Sequence, residues 1–372
     1  MKFPKWFYEI DHKMFLAVLC LMTFGFIITM AASPAVAERI SLHQFHFIQK
    51  QFVYLITSLF FIITLSGLNE RSIKKLILYG FILTIFMMIA VLILSDAAKG
   101  AKRWLNFFGF SLQPSEFLKP FYNSTIAIIL AKTVNKLKVF ITLVGIHSII
   151  VILLLLQPDF GMAILISTVF FIQLFIAEIP ILWLLILGCI FLSGAFFVYL
   201  LFPHVAKRIE KFLSAADSEV NYQVQKSLES YYSGGLWGKG PGEGTIKYYL
   251  PDAHTDFIFP VIAEELGIIF CLFIIGLILY IIMRGFWNVI QMRYSLYRVY
   301  CIIPILSFFA IQSIFNIAVT LNLVPTKGMT LPFISYGGSS LIAQSILFGI
   351  YLNITKHTQR IGIKRNTIHA RI

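Results

Sequence analysis

Polar and apolar residues segregate along this chain into long blocks. Ten apolar runs lie near 13–33, 50–68, 76–95, 114–131, 139–156, 160–178, 181–202, 256–283, 299–322 and 333–355. Each is close to the length that crosses a bilayer as a helix. Between them lie short polar stretches and one long one, 203–255. Alternating segments of about ten residues, the mark of a transmembrane barrel, are missing. The pattern predicts an all-α polytopic membrane protein: one membrane domain over 1–372, with 203–255 as a large loop between the seventh and eighth helices.

Composition agrees: 59% of residues are hydrophobic and 13% charged, against about a quarter charged in soluble domains. The net charge of +13 reflects topology and does not point to nucleic acid. An even number of helices puts both termini on one side. That side collects Lys2, Lys5, Lys13, Arg71, Lys74, Lys75, Lys132, Lys136, Lys138, Arg284, Arg293, Arg298 and the basic tail from Lys356 to Arg371. The positive-inside rule makes it cytoplasmic. The loop 203–255 then lies outside, its basic residues matched by acids. Its "KRIEKFLSAA" (207–216) suits a short amphipathic helix at the interface. The cysteines Cys20, Cys189, Cys271 and Cys301 all sit in apolar runs and read as core residues. No His/Cys/Asp/Glu spacing suggests a dedicated zinc site.

Charges inside membrane helices are costly, roughly 2.5–3.5 kcal/mol at mid-helix, so their placement is informative. Here polar stretches gather on the outer side. Arg103 and Trp104 precede the fourth run. "QPSEFLK" (113–119) opens it, with Glu116 and Lys119 three apart on one face, either as a structural ion pair or as site residues. In "QPDFG" (157–161), Asp159 is placed to cap the sixth helix. "LPDAHTDFIFPVIAEELG" (250–267) leads into the eighth, with Thr255 or Asp256 as its cap. "PTKGMTLPFISYGGSS" (325–340) leads into the tenth. There Gly337 and Gly338 offer backbone N–H donors or close helix packing. One polar site, open outward, is the expectation.

Within 250–267 the acids separate. Along a helix Glu264 and Glu265 lie about 12 Å beyond Asp256, turned from it by about 80° and 180°. A close carboxylate pair, as a two-carboxylate glycosidase uses, is not expected. Glu264 and Glu265 read instead as structural, making hydrogen bonds or ion pairs between helices, with the neutral acid an option. "GKGPGEG" (238–244) lacks GxxxxGK[ST] and reads as a flexible turn. His147 reads as a hydrogen-bonded core residue.

Taken in order, "AKRWL", "QPSEFLK", "QPDFG", "YQVQKSL", "GKGPGEG", "LPDAHTDFIFPVIAEELG" and "PTKGMTLPFISYGGSS" resemble the SEDS family (shape, elongation, division and sporulation) over nearly the whole chain. "PTKGMTLP", "SPAVA" (33–37) and Ala253 resemble its division branch more than its elongation branch. Lys226 and Asn322 depart from the family's usual pattern.

The resemblance implies a peptidoglycan glycosyltransferase that polymerises lipid II at the outer face of the bacterial cytoplasmic (inner) membrane, during division. Asp256 falls at the family's essential aspartate and is the implied general base of an inverting transfer that releases undecaprenyl pyrophosphate. Arg103, Glu116, Lys119 and Asp159 fall at its conserved polar positions. With Lys327, Ser335, Gly337, Gly338 and Ser339 they are candidates for holding substrate or pyrophosphate, or for supporting the groups that do. A divalent cation, Mg or Mn, is the candidate cofactor at the pyrophosphate, with its ligands undetermined. The implied partners are lipid II, lipid-linked glycan, a class B penicillin-binding protein as transpeptidase, and other divisome proteins at the septum. The competing readings are a lipid II flippase, an elongation-type polymerase and a scaffold. A transporter would hold its charges near the midplane on repeated halves, which this chain does not show.

Overall fold

The computed structural model describes residues 5–95, 103–107, 110–132, 135–201, 219–291, 295–325 and 328–369. Among the described residues the order is α1 (His12–Arg39), α2 (His46–Gly67), α3 (Glu70–Leu94), β1 (Leu105–Phe107), β2 (Phe110–Leu112), α4 (Pro114–Lys132), α5 (Lys136–Leu156), α6 (Phe160–Ile176), α7 (Ile181–Leu201), α8 (Glu219–Gly234), α9 (Ile258–Gln291), α10 (Leu296–Thr320) and α11 (Gly338–His369). The fold is an all-α polytopic membrane bundle, and each of the ten expected runs contains a helix. Seven are long and apolar enough to cross a bilayer: α1, α2, α3, α5, α9, α10 and the Gly338–Lys356 portion of α11. α6 and the Ile181–Gly194 portion of α7 are apolar but shorter.

α4 is the exception that explains itself. It carries Glu116, Lys119 and Asn123, all buried. It packs against α3, α5, α6, α10 and α11, so protein rather than lipid surrounds it. A helix sheltered this way can be polar if its groups find partners. His147 on α5 shows such pairing, with its Nδ1 2.6 Å from the Tyr122 hydroxyl, its Nε2 3.1 Å from Ser167 Oγ and its ring stacked on Phe170.

Short polar side chains start several helices by accepting an otherwise orphaned N–H. Asp11 does so for α1, Asn69 for α3, Asn135 for α5 and Asp159 for α6. Other boundaries move. "SPAVA" lies inside α1, not after it. α11 begins at Gly338, five residues later than the apolar run suggests, because 331–335 turn instead. Asn322, after α10, adopts φ 60, a left-handed conformation that glycine or asparagine accommodates best.

The N-terminal turn Lys5–Glu9 packs against α11, and Asp11 joins α9 and α11 through Arg284 and Asn288, whose Nδ2 also donates to the Tyr351 hydroxyl. The N-terminal segment, the end of α9 and the part of α11 around Tyr351 therefore meet at one end of the bundle.

Two features depart from expectation. The stretch 203–255 is not only loop: α8 is an amphipathic helix packed on α9, while "KRIEKFLSAA" lies outside the described residues. The second departure is in α9. Its 34 residues would span about 51 Å as a straight helix, well over the ~30 Å hydrocarbon core. It breaks at Gly267 (φ 80, ψ 171). Residues 268–291 suffice to cross, and 258–266 form a separate half-helix.

Candidate active site

The polar stretches converge at the end of the bundle opposite the termini. The hairpin β1–β2 pairs Leu105 with Leu112 and delivers Gln113 to the start of α4. The Gln113 backbone N–H donates to Ser339 Oγ (2.9 Å), and Ser339 donates to the Ser111 carbonyl (3.3 Å). Gln113 Nε2 and Ser115 Oγ both donate to Asp159 Oδ2, at 3.3 and 3.2 Å, while Asp159 Oδ1 caps α6. Arg103 donates to the carbonyls of Gln157 and Pro158, so its guanidinium grips the turn that carries Asp159.

One helical turn inward, Lys119 Nζ contacts Glu116 Oε2 at 2.6 Å and Gln312 Oε1 at 2.7 Å. Lys119 is 1% exposed. Such a lysine needs its partners, since an unpaired buried ammonium costs several kcal/mol. Gln312 Nε2 donates to the Thr330 carbonyl at 2.9 Å, and the Thr330 and Ser340 hydroxyls are 2.8 Å apart. The ion pair on α4 thus braces the stretch 328–340.

Asp256 borders that stretch. It lies in the turn before α9, two residues ahead of the helix, so neither it nor Thr255 is the adjacent cap position that was expected. Asn316 Nδ2 donates to both the Asp256 carbonyl (2.9 Å) and the Met329 carbonyl (2.6 Å), clamping the two segments together. The Asp256 carboxylate faces Gly328: a Cβ there would stand 2.8 Å from Oδ2. Asp256 itself is half-buried. Next to it, His254 is sandwiched with Phe47 and Tyr336, and burial pushes its imidazole down to about 4.

The remaining candidates serve locally. Ser335 Oγ accepts from the Leu331 N–H at 2.8 Å and shapes a turn. Gly337 lies beside Thr330, and Gly338 packs on the Tyr54 ring with no room for a Cβ. For Gly338 close packing, rather than a free N–H, is what the contact shows. Lys327 lies outside the described residues.

Glu264 and Glu265 need correction. The helical offsets assumed that Asp256 opens a continuous helix, which it does not. The two glutamates form ion pairs, one of the options the sequence left open, but their partners belong to the stretch 239–247 and not to another membrane helix. Glu264 Oε1 accepts from Lys239 Nζ (3.0 Å) and from the N–H groups of Thr245 (2.8 Å) and Ile246 (3.1 Å). Glu265 meets Lys247 Nζ at 2.6 Å and the Gly242 N–H at 3.1 Å. "GKGPGEG" is a turn, as expected, but one clasped to α9. The partners of Glu264 and Glu265 are separate from the Asn316 clamp at Asp256.

Gln312, Asn316 and Thr330 were not singled out from the sequence. Gln312 and Asn316 sit four apart on one face of an otherwise apolar run, and that spacing was the available signal.

The profile of the FtsW/RodA/SpoVE cell cycle protein family matches residues 11–360. The chain belongs to this family, SEDS. This SEDS chain is 39% identical over 357 residues to the probable peptidoglycan glycosyltransferase FtsW of Caulobacter vibrioides, covering 94% of this chain and 90% of that protein. Its fold is similar to a chain in a peptidoglycan synthase complex described as coordinating polymerization and crosslinking (TM-score 0.76, 23% identity, 94% and 98% covered). It is also similar to the rod shape determining protein RodA of Thermus thermophilus (TM-score 0.70, 24% identity, 94% and 97% covered). At these identities the structural likeness speaks for the SEDS fold alone.

Proposed function

We propose that this chain is a peptidoglycan glycosyltransferase that polymerises lipid II at the outer face of the cytoplasmic membrane during division. Family membership and the relative at 39% identity support the reaction class. The observation that carries the assignment to residues is the clamp at Asp256: a half-buried aspartate on a turn, its backbone carbonyl tied by Asn316 to the loop before α11. Such a group reaches substrate yet is held in place, which is what a general base needs.

In the step, an acceptor sugar hydroxyl attacks the anomeric carbon of the lipid-linked donor. Its proton passes to the Asp256 carboxylate as the new glycosidic bond forms. The bond from the anomeric carbon to the pyrophosphate breaks with inversion, and undecaprenyl pyrophosphate leaves with the electron pair. The leaving group calls for positive charge. Lys327, the chain neighbour of Gly328, is the first candidate. Arg103 acts through the turn it grips, and Lys119, being fully buried, acts by bracing 328–340. Among the described residues no group of three or more His, Cys, Asp or Glu is placed to hold a metal ion.

The charge distribution supports a cytoplasmic end that holds the termini and a site on the outer side. A class B penicillin-binding protein is the proposed partner, and the septum the proposed place. The test is polymerisation of purified lipid II by the full-length chain, with and without that transpeptidase. Asp256→Asn is expected to lose about 10²–10⁴-fold in rate. Wild-type turnover by a folded Asp256→Asn protein removes the base role.

A further inference from the structure

Two large apolar side chains of the outer loop stand beside the start of a membrane segment. Leu236 is 61% exposed and Trp237 81%. Their turn is flanked by Gly235 and Gly238 at φ 57 and 80, a backbone shape that pushes the two intervening side chains outward. The turn is bonded directly to the helix break in α9. The Ile268 N–H donates to the Gly235 carbonyl (3.0 Å), and the Ile269 N–H to the Leu236 carbonyl (3.3 Å). Backbone meets backbone on both sides: a Cβ on Gly267 would stand 2.2 Å from the Leu236 carbonyl oxygen, and one on Gly238 would stand 2.3 Å from that of Glu265. Turn and break therefore move as one body.

From this point an exposed apolar strip continues along α9 through Ile269, Leu272 and Phe273. In a polytopic membrane protein that strip faces lipid. Tryptophan beside aliphatic residues at the rim of such a strip is the composition of a membrane–water interface. Lys239, the nearest charge in the turn, is paired with Glu264. We propose that Leu236 and Trp237 are an interfacial anchor: they sit in the headgroup region of the leaflet facing the site and set the height of the half-helix 258–266, and so of Asp256, over the bilayer. The half-helix has nine residues, a lever of about 14 Å at most. The coupling to catalysis rests on the function proposed above; the anchor itself does not.

The test uses the full-length chain in vesicles of phosphatidylethanolamine and phosphatidylglycerol, some of it brominated near the headgroup. The difference in emission between wild type and Trp237→Phe isolates Trp237. The anchor predicts a blue-shifted Trp237 signal, reduced about two-fold by shallow bromines. An unquenched signal at the wavelength of water-exposed tryptophan overturns it. So does shielding that occurs only after the partner transpeptidase is added, which would make the surface a protein contact. The second arm is the double variant Leu236→Ser/Trp237→Ser. It should lose about ten-fold or more in polymerisation in vesicles and little in detergent micelles, which define no plane. Equal activity in vesicles overturns the height-setting role. If Trp237 is quenched but the wild type fails to polymerise under any condition, the anchor holds and the enzymatic reading falls.

Discussion

Asp256 and the pair Glu264–Glu265 belong to one short stretch of chain, yet the structure treats them in opposite ways. Glu264 and Glu265 are 0% and 3% exposed, and each is met by a lysine and by backbone N–H groups of the clasped loop. Asp256 is half-buried on a turn, and what Asn316 holds is its carbonyl, not its carboxylate. Acids saturated with donors and removed from solvent fix shape. Asp256 combines a fixed backbone with a partly exposed side chain, the arrangement that the proposed base role requires. On the function proposed above, the same residue class serves structure on one side of the half-helix and chemistry on the other.

The comparison breaks most visibly through matched amide variants. Asp256→Asn should remove about 10²–10⁴-fold of polymerisation while leaving the thermal midpoint near wild type. Glu265→Gln should do the reverse. It leaves the buried Lys247 ammonium with the Ala31 and Gly242 carbonyls but no counter-charge, a loss of about 3–5 kcal/mol in stability. Thermal unfolding in detergent measures it, and the double variant Glu265→Met/Lys247→Met should recover most of the loss. If single Glu265→Gln stays stable but inactive, the division between the two acids is wrong.

A smaller effect sharpens the Asp256 side through pH. The folded state holds His254 at about 4, against 6.5 for the free group, mainly because it is buried. The unfolded chain takes up that proton first as pH falls, so this contribution to stability is intact above about pH 6.5 and is lost toward pH 4. The loss amounts to about 3 kcal/mol. His254→Phe should flatten that part of the stability–pH profile, and an unchanged slope would place the titration elsewhere. The smallest effect is that of the clamp. Asn316→Ala removes two hydrogen bonds and leaves two carbonyls to find other donors, about 1–3 kcal/mol. It should lower turnover more than it raises KM, because the base loses its position rather than the substrate its contacts.

Much of this was legible in the sequence because it is local. A run of about twenty apolar residues must be helical in a bilayer, since every backbone group needs a partner there. The caps Asp11, Asn69, Asn135 and Asp159 follow from residue type and position. The gathering of polar stretches at one end followed from counting helices. The reaction class came from the resemblance, not from spacing. Less legible were α8, whose amphipathic pattern sits inside a stretch that reads as loop, and the hairpin β1–β2, whose strands are too short to show a period. Gln312 and Asn316 were hidden as ordinary polar residues in an apolar run.

By itself, the sequence determined the ten helical runs and the clustering of acids and bases around 103–119, 157–161, 250–267 and 325–340. Tertiary structure decided which partners Glu264 and Glu265 meet. The break at Gly267 exists because a loop more than twenty residues earlier supplies the hydrogen bonds that the helix gives up there. Lys119 is a brace because Gln312, almost two hundred residues away in the chain, meets it. Hydrogen-bond partners brought together from distant segments leave no local pattern.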